Sequence, residues 1–213
     1  MKLIAEMTDN LSAAVSESER CCGAEGIFKI MTIYLVRHGA DDNSVRGGWS
    51  KHPLTDEGLK QSEALAEKLK ENNCEAQIIW SSDLRRAKQT AEIIAQRLNL
   101  EVEYNAEFRE VNNGDLAGMD NDLANELYPD LYWRKLAWEQ CYPNGESPKA
   151  FYERVKIAWE KLLKGGRKSV ILVTHGGVIN VILHLVNGEA YSNKNSAYKI
   201  SAADYIELCV KNQ

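Results

Sequence analysis

Two short segments of the chain share one arrangement of reactive residues. Tyr34-Leu35-Val36 runs into Arg37-His38-Gly39, and Ile171-Leu172-Val173 runs into Thr174-His175-Gly176-Gly177. Each places a histidine just past an apolar run that reads as a buried strand, with glycine next. In open parallel sheets the carboxyl edge of the strands is where ligands bind. Gly39 and Gly176 would let the backbone approach a ligand closely. The glycines of the second segment lead into a helix, whose free N–H groups favour an anion.

A histidine can act as a covalent nucleophile if its attacking nitrogen is unprotonated. A backbone acceptor on the other ring nitrogen would fix that tautomer. A phosphoryl group then needs cationic donors on its non-bridging oxygens, where charge gathers as the bond breaks. Arg37 supplies a planar donor fork beside His38, and His175 can donate a further hydrogen bond. A leaving alkoxide also needs a proton, so a carboxylic acid should stand near the scissile bond.

These residues need a scaffold, and the chain alternates apolar strands with amphipathic helices. Strands are expected at 33–36, 78–80, 101–104 and 169–173. Helices are expected from Leu54 to about Glu71, over 84–98 with Ser82 or Asp83 as cap, over 151–162, and over 178–186. Residues 197–201 and 205–210 are expected to pair as a terminal hairpin. The alternation implies an α/β fold: a three-layer α/β/α sandwich with a mainly parallel sheet and helices on both faces. Residues 112–149 interrupt it with Tyr128, Tyr132, Trp133, Trp138 and Tyr142 among prolines. They read as an irregular, partly helical aromatic flap over the C-terminal edge of the sheet, or as a satellite core, or both. Residues 1–30 read as an N-terminal extension, dispensable or forming a short surface helix, and 31–213 as the catalytic domain.

Composition narrows the function. The 213 residues carry a formal net charge of −5. That argues against a nucleic-acid partner, which calls for a basic footprint. No apolar run approaches the roughly 18 residues of a membrane span, and the N-terminus does not read as a signal peptide. The five cysteines are scattered, without a C-x-x-C pair. They suggest neither a disulfide framework nor a zinc site, and fit a cytoplasmic location. No cofactor or metal is expected. A small phosphorylated substrate is the expected partner, and a homodimer is compatible with the chain.

From Thr32 to Val210 the sequence resembles the histidine phosphatase superfamily, also called phosphoglycerate-mutase-like, and in particular its short phosphatase branch. Arg37-His38-Gly39 matches its signature tripeptide, and Pro53-Leu54-Thr55-Asp56-Glu57-Gly58 the opening of its first helix. Ser81-Ser82-Asp83-Leu84-Arg85-Arg86-Ala87-Lys88-Gln89-Thr90-Ala91 matches its second arginine segment. The resemblance, not helical spacing, selects Arg86 over Arg85 as phosphate ligand. Phe108-Arg109-Glu110 with Gly114-Asp115-Leu116-Ala117-Gly118 resembles the proton-donor segment, which implies Glu110 as the acid, with Asp115 as the alternative. Asn144-Gly145-Glu146-Ser147 is similar to a segment of the phosphatase branch, and Thr174-His175-Gly176-Gly177 matches the second-histidine motif.

The first loop departs from the pattern. Many members have Thr and Asn where this chain has Asp41 and Ser44, with Asn43 one step early. Asn43 is the candidate for a further phosphate contact, and Arg46 another. Asp41 and Asp42 read as facing water, or as recognising a cationic group on the substrate. His52 reads as an exposed loop residue. His184, with Gly177, Asn180 and Asn187, reads as a polar outer stripe of its helix.

The resemblance implies hydrolysis of a phosphomonoester through a phosphohistidine on His38. Arg37, Arg86 and His175 would hold the phosphoryl oxygens. Phosphoglycerate mutase activity is the first alternative, set against the shortness of the chain after the acid segment. A non-catalytic phospho-ligand-binding protein is the second. A metal hydrolase built on both histidines lacks the helical ligand spacing such sites use.

Overall fold

The computed structural model describes residues 2–5 and 29–212. In chain order the elements are β1 (Lys2–Ala5), β2 (Lys29–Arg37), α1 (Asp56–Glu71), β3 (Ile79–Ser81), α2 (Arg85–Leu98), β4 (Val102–Tyr104), α3 (Asn121–Leu127), α4 (Pro148–Lys164), β5 (Ser169–Thr174), α5 (Gly176–Val186) and β6 (Tyr205–Asn212). The readings of residues 1–30 lie outside the described residues except at Lys2–Ala5, Lys29 and Ile30. There the backbone contributes β1 and the start of β2.

The sheet order is β1-β6-β2-β5-β3-β4. Strands β2, β5, β3 and β4 pair in parallel, whereas β6 runs antiparallel to β2 and carries β1 parallel on its far side. The expected terminal hairpin does not form. Residues 197–201 are irregular, and β6 pairs with β2 along its whole length. The competing claim on 197–201 is polar: the Ile200 carbonyl accepts from Arg37 Nη1 at 2.7 Å, and Ala203 turns through a φ of 47°.

The period-two alternation of β2 and β5 sends side chains to both faces. Ile33, Leu35, Val170 and Leu172 pack with Phe151, Val155, Trp159 and Ile182 of α4 and α5. Tyr34, Val36, Ile171 and Val173 pack with Leu65, Leu69, Ala91 and Ile94 of α1 and α2. Three layers follow, as the alternation of elements implies.

Helix α1 starts where Thr55 Oγ1 accepts from the Gly58 amide at 3.0 Å. Asp56 and Glu57 sit in its first turn and Lys68 and Lys70 in its last, which suits the helix dipole. Helix α4 starts at Ser147, whose hydroxyl accepts from the Ala150 amide, with Pro148 in the first turn. The expected cap of α2 is absent. Leu84 occupies the cap position without a side-chain bond; Ser82 Oγ faces His175 and accepts only from the Leu84 amide, and Asp83 pairs with Arg109.

Residues 112–149 hold a 3-10 turn at Gly114–Leu116, the short α3, and a small cluster of Leu116, Leu136 and Tyr142. The segment is thus partly helical and carries a satellite core. The polar stripe on α5 is not an outer face. Asn180 and His184 are buried, and His184 lies edge-on to the rings of Tyr191 and Tyr198. The irregular residues 191–198 cover that stripe, and no periodicity announces them.

Candidate active site

The register of the two central strands sets Arg37 opposite Thr174. The next residue on each strand is a histidine, so the rings of His38 and His175 meet at 4.9 Å between centroids. The His38 amide donates to the Thr174 carbonyl at 3.0 Å, which locks the two strand ends together.

His38 Nδ1 lies 2.7 Å from the Gly39 carbonyl, which can only accept, so Nδ1 carries the proton. Arg86 Nε donates to His38 Nε2 at 3.2 Å, which requires a lone pair on Nε2. Both contacts define one neutral tautomer. Burial, then the charge of Arg86, lowers the His38 pKa from 6.5 to about 3. Burial, then Arg86, also holds His175 well below the usual histidine range.

The loop after His38 is fastened by residues of the second arginine segment. The Gly39 amide donates to Thr90 Oγ1 at 3.1 Å, and the Leu54 amide to Gln89 Oε1 at 2.9 Å. A Cβ on Gly39 would lie 2.4 Å from the Gly58 carbonyl oxygen, so this close approach requires glycine.

The structure distinguishes the two arginines. Arg85 is exposed, whereas Arg86 is 2% exposed. Besides His38, Arg86 reaches the Gly48 carbonyl at 2.8 Å and Ser50 Oγ at 3.4 Å. Its Nε also lies 3.2 Å from Asp41 Oδ2. Asp41 therefore neither faces water nor waits for a cationic substrate; it is the counter-ion of Arg86. Burial lowers the Arg86 pKa, and Asp41 opposes that. Asp42 instead accepts from the Ser44 amide and hydroxyl.

Glu110 and Gly176 join the cluster, whereas two other candidates lie apart from it. Glu110 Oε1 accepts from the Val111 amide and Oε2 from the Gly177 amide, both at 3.0 Å. Arg37, Glu110, Gly176 and Gly177 line one wall of a cavity of about 680 Å³. Asp115 is exposed and accepts from Asn144. Asn43 is exposed, and its carbonyl accepts from Asn121 Nδ2. Arg46 bonds Asn125 and lies over the ring of Tyr132, which ties the first loop to residues 112–149. His52 is half-buried.

Several contributors were not singled out from sequence. Ser82, read as a cap, shares a 2.8 Å hydrogen bond with His175 Nε2. Trp49 Nε1 donates to the Glu110 carbonyl at 2.7 Å. Arg154 donates to the same carbonyl and pairs with Glu146. Nothing local marks Trp49 or Arg154, because their partners are distant backbone carbonyls. Among the described residues, Arg37 Nε and His175 Nδ1 are buried without a hydrogen-bond partner. Arg37 Nε is a free donor, and His175 Nδ1 becomes one when Ser82 donates to Nε2; beside a neutral histidine and a buried guanidinium they suit an anion with several oxygens.

The described residues contain no group of three or more His, Cys, Asp or Glu placed to hold a metal ion, and no helix long and apolar enough to cross a membrane.

Known proteins share this arrangement's sequence or fold. The chain is similar to the Bacillus subtilis protein described as an uncharacterized phosphatase, PhoE, at 31% identity over 73% of this chain and 77% of that one. It is similar to the probable phosphoglycerate mutase GpmB of Escherichia coli O1:K1 at 32% identity, over 84% and 86% of the two chains. A mycobacterial glucosyl-3-phosphoglycerate phosphatase structure superposes with a TM-score of 0.70 at 26% identity, over 83% of this chain and 89% of that one. Residues 33–212 match the histidine phosphatase superfamily (branch 1), and the chain belongs to that family.

Proposed function

We propose that the protein hydrolyses a small phosphomonoester through a phosphohistidine on Nε2 of His38. The observation that carries this reading is the Nδ1 bond of His38 to the Gly39 carbonyl, which leaves Nε2 with its lone pair toward Arg86. A phosphoryl group would replace the Arg86–His38 contact, with its oxygens shared by Arg37, Arg86 and His175. Nε2 attacks phosphorus in line. Glu110, on the cavity side, protonates the leaving oxygen and then takes a proton from the attacking water. The arginines supply the positive charge this transfer needs, so the reading calls for no metal.

The test is inhibition of p-nitrophenyl phosphate hydrolysis by vanadate in the presence of a chelator. Competitive inhibition supports the phosphoryl pocket, and full activity at saturating vanadate sinks it.

One observation favours a second reading. Arg134 and Lys199 stand on the cavity wall and fit a carboxylate on the substrate, as a phosphoglycerate mutase would require. Both are exposed, so an ion pair there would be screened by solvent and worth little, which weights the balance toward hydrolysis. Incubation with a phosphoglycerate separates the two by release of inorganic phosphate or by isomerisation.

A further inference from the structure

Glu110 sits on an irregular segment after a 3-10 turn at Ala106–Phe108, and no helix or strand fixes it. A general acid must nonetheless be held within a fraction of an ångström of the leaving oxygen. Trp49 Nε1 holds the Glu110 carbonyl and Thr174 Oγ1 the Phe108 carbonyl, each at 2.7 Å, and one further side chain spans several residues of the segment. Arg154, on the second turn of α4, donates Nη1 to the Glu107 carbonyl at 2.7 Å and to the Arg109 carbonyl at 3.0 Å. Its Nη2 donates to the Glu110 carbonyl at 3.2 Å. Glu146 holds this guanidinium from the other side, with Oε1 2.6 Å from Nη2 and Oε2 3.2 Å from Nε. The same Oε1 accepts from the Asn112 amide at 2.7 Å. Arg154 and Glu146 are only 16% and 14% exposed.

We infer that the Arg154–Glu146 pair is a positioning unit for the acid. It grips the segment before and after Glu110 and sets where the carboxyl meets the leaving oxygen. This rests on the reading of Glu110 as the acid. The planar fork matters because one guanidinium reaches three carbonyls and a carboxylate together, which a lysine ammonium cannot do with the same geometry. The turn that delivers Glu146 is built for close approach. Asn144 has a φ of 53°, and a Cβ on Gly145 would lie 2.4 Å from the Asn112 carbonyl oxygen.

Aryl phosphates of graded leaving-group basicity test the inference. When an acid protonates the leaving oxygen, kcat/KM depends little on that basicity; when the acid is lost, the dependence steepens. The wild type should give a shallow slope and Glu110→Gln a steep one. Arg154→Met should move the slope toward that of Glu110→Gln, with phenyl phosphate losing at least about tenfold more than p-nitrophenyl phosphate. Arg154→Lys should recover part of the loss. In the Glu110→Gln background, Arg154→Met should change the phenyl phosphate rate less than about threefold, since a residue acting through another has no effect once that one is gone.

A parallel drop on every substrate, or additive losses in the double variant, would overturn the inference and leave a purely structural pair. A Glu110→Gln slope equal to the wild type's would remove the acid assignment itself, and this inference with it. Should Arg154→Met fail to fold, Glu146→Gln, which keeps an acceptor for the Asn112 amide, reads the same slope.

Discussion

The amide of Gly177 donates to Oε2 of Glu110 at 3.0 Å, joining segments 67 positions apart. A Cβ at position 177 would lie 2.3 Å from Glu110 Oε1. The free N–H at the start of α5 thus meets a carboxyl group belonging to the protein itself, and only glycine leaves room for it where it stands.

Gly177→Ala should therefore displace the carboxyl. The added methyl meets only the movable end of a side chain, so stability should change by no more than about 1 kcal/mol, whereas a misplaced catalytic group costs up to about 100-fold in rate. Activity should fall while stability changes little. Thermal unfolding together with kcat/KM checks this; an unchanged rate would show that Glu110 does not need its observed position.

The buried histidines make stability depend on pH. His38 is held neutral down to about pH 3, and burial keeps His175 well below its usual range. In the unfolded chain both bind protons below about pH 6.5. Their contribution is thus fully present above that pH and is lost as pH falls toward 3. The slope is about 1.4 kcal/mol per pH unit for each histidine, as an order of magnitude. Urea unfolding between about pH 7 and pH 5 should show His38→Gln losing stability less steeply than the wild type. Parallel curves would contradict the depressed pKa.

How legible was this in the sequence? The strand-His-Gly repeats located the site, because the apolar runs before His38 and His175 are adjacent parallel strands with matched ends. The three layers followed from the alternation of β2 and β5 and the apolar faces of the helices. Partners far along the chain were not legible. Asp41 read as a solvated charge until Arg86 stood beside it, and Ser82 read as a cap until His175 claimed it. Residues 197–201 have strand-like apolar content, but the demand of Arg37 for the Ile200 carbonyl belongs to tertiary structure. Arg85 and Arg86 could be told apart only by the resemblance, since burial of a guanidinium is not written in helical periodicity.

Substrate preference should reside in residues 112–149. Trp133 and Arg134 of that segment line the same cavity as Gly176 and Gly177. Trp133→Leu and Arg134→Ala should alter kcat/KM for larger or acidic phosphomonoesters more than for p-nitrophenyl phosphate. For Arg134 a difference of about fivefold is expected, the worth of an exposed ion pair near 1 kcal/mol. A panel of phosphometabolites checks it; equal losses on every substrate would sink the assignment.

The central claim is nucleophilic attack by Nε2 of His38. The most direct measurement is hydrolysis of p-nitrophenyl phosphate, with chelator present, by the wild type and by His38→Ala. The account predicts turnover by the wild type and at least a thousandfold loss in the variant, on the order of what removing a catalytic nucleophile costs. Comparable turnover by both would contradict it.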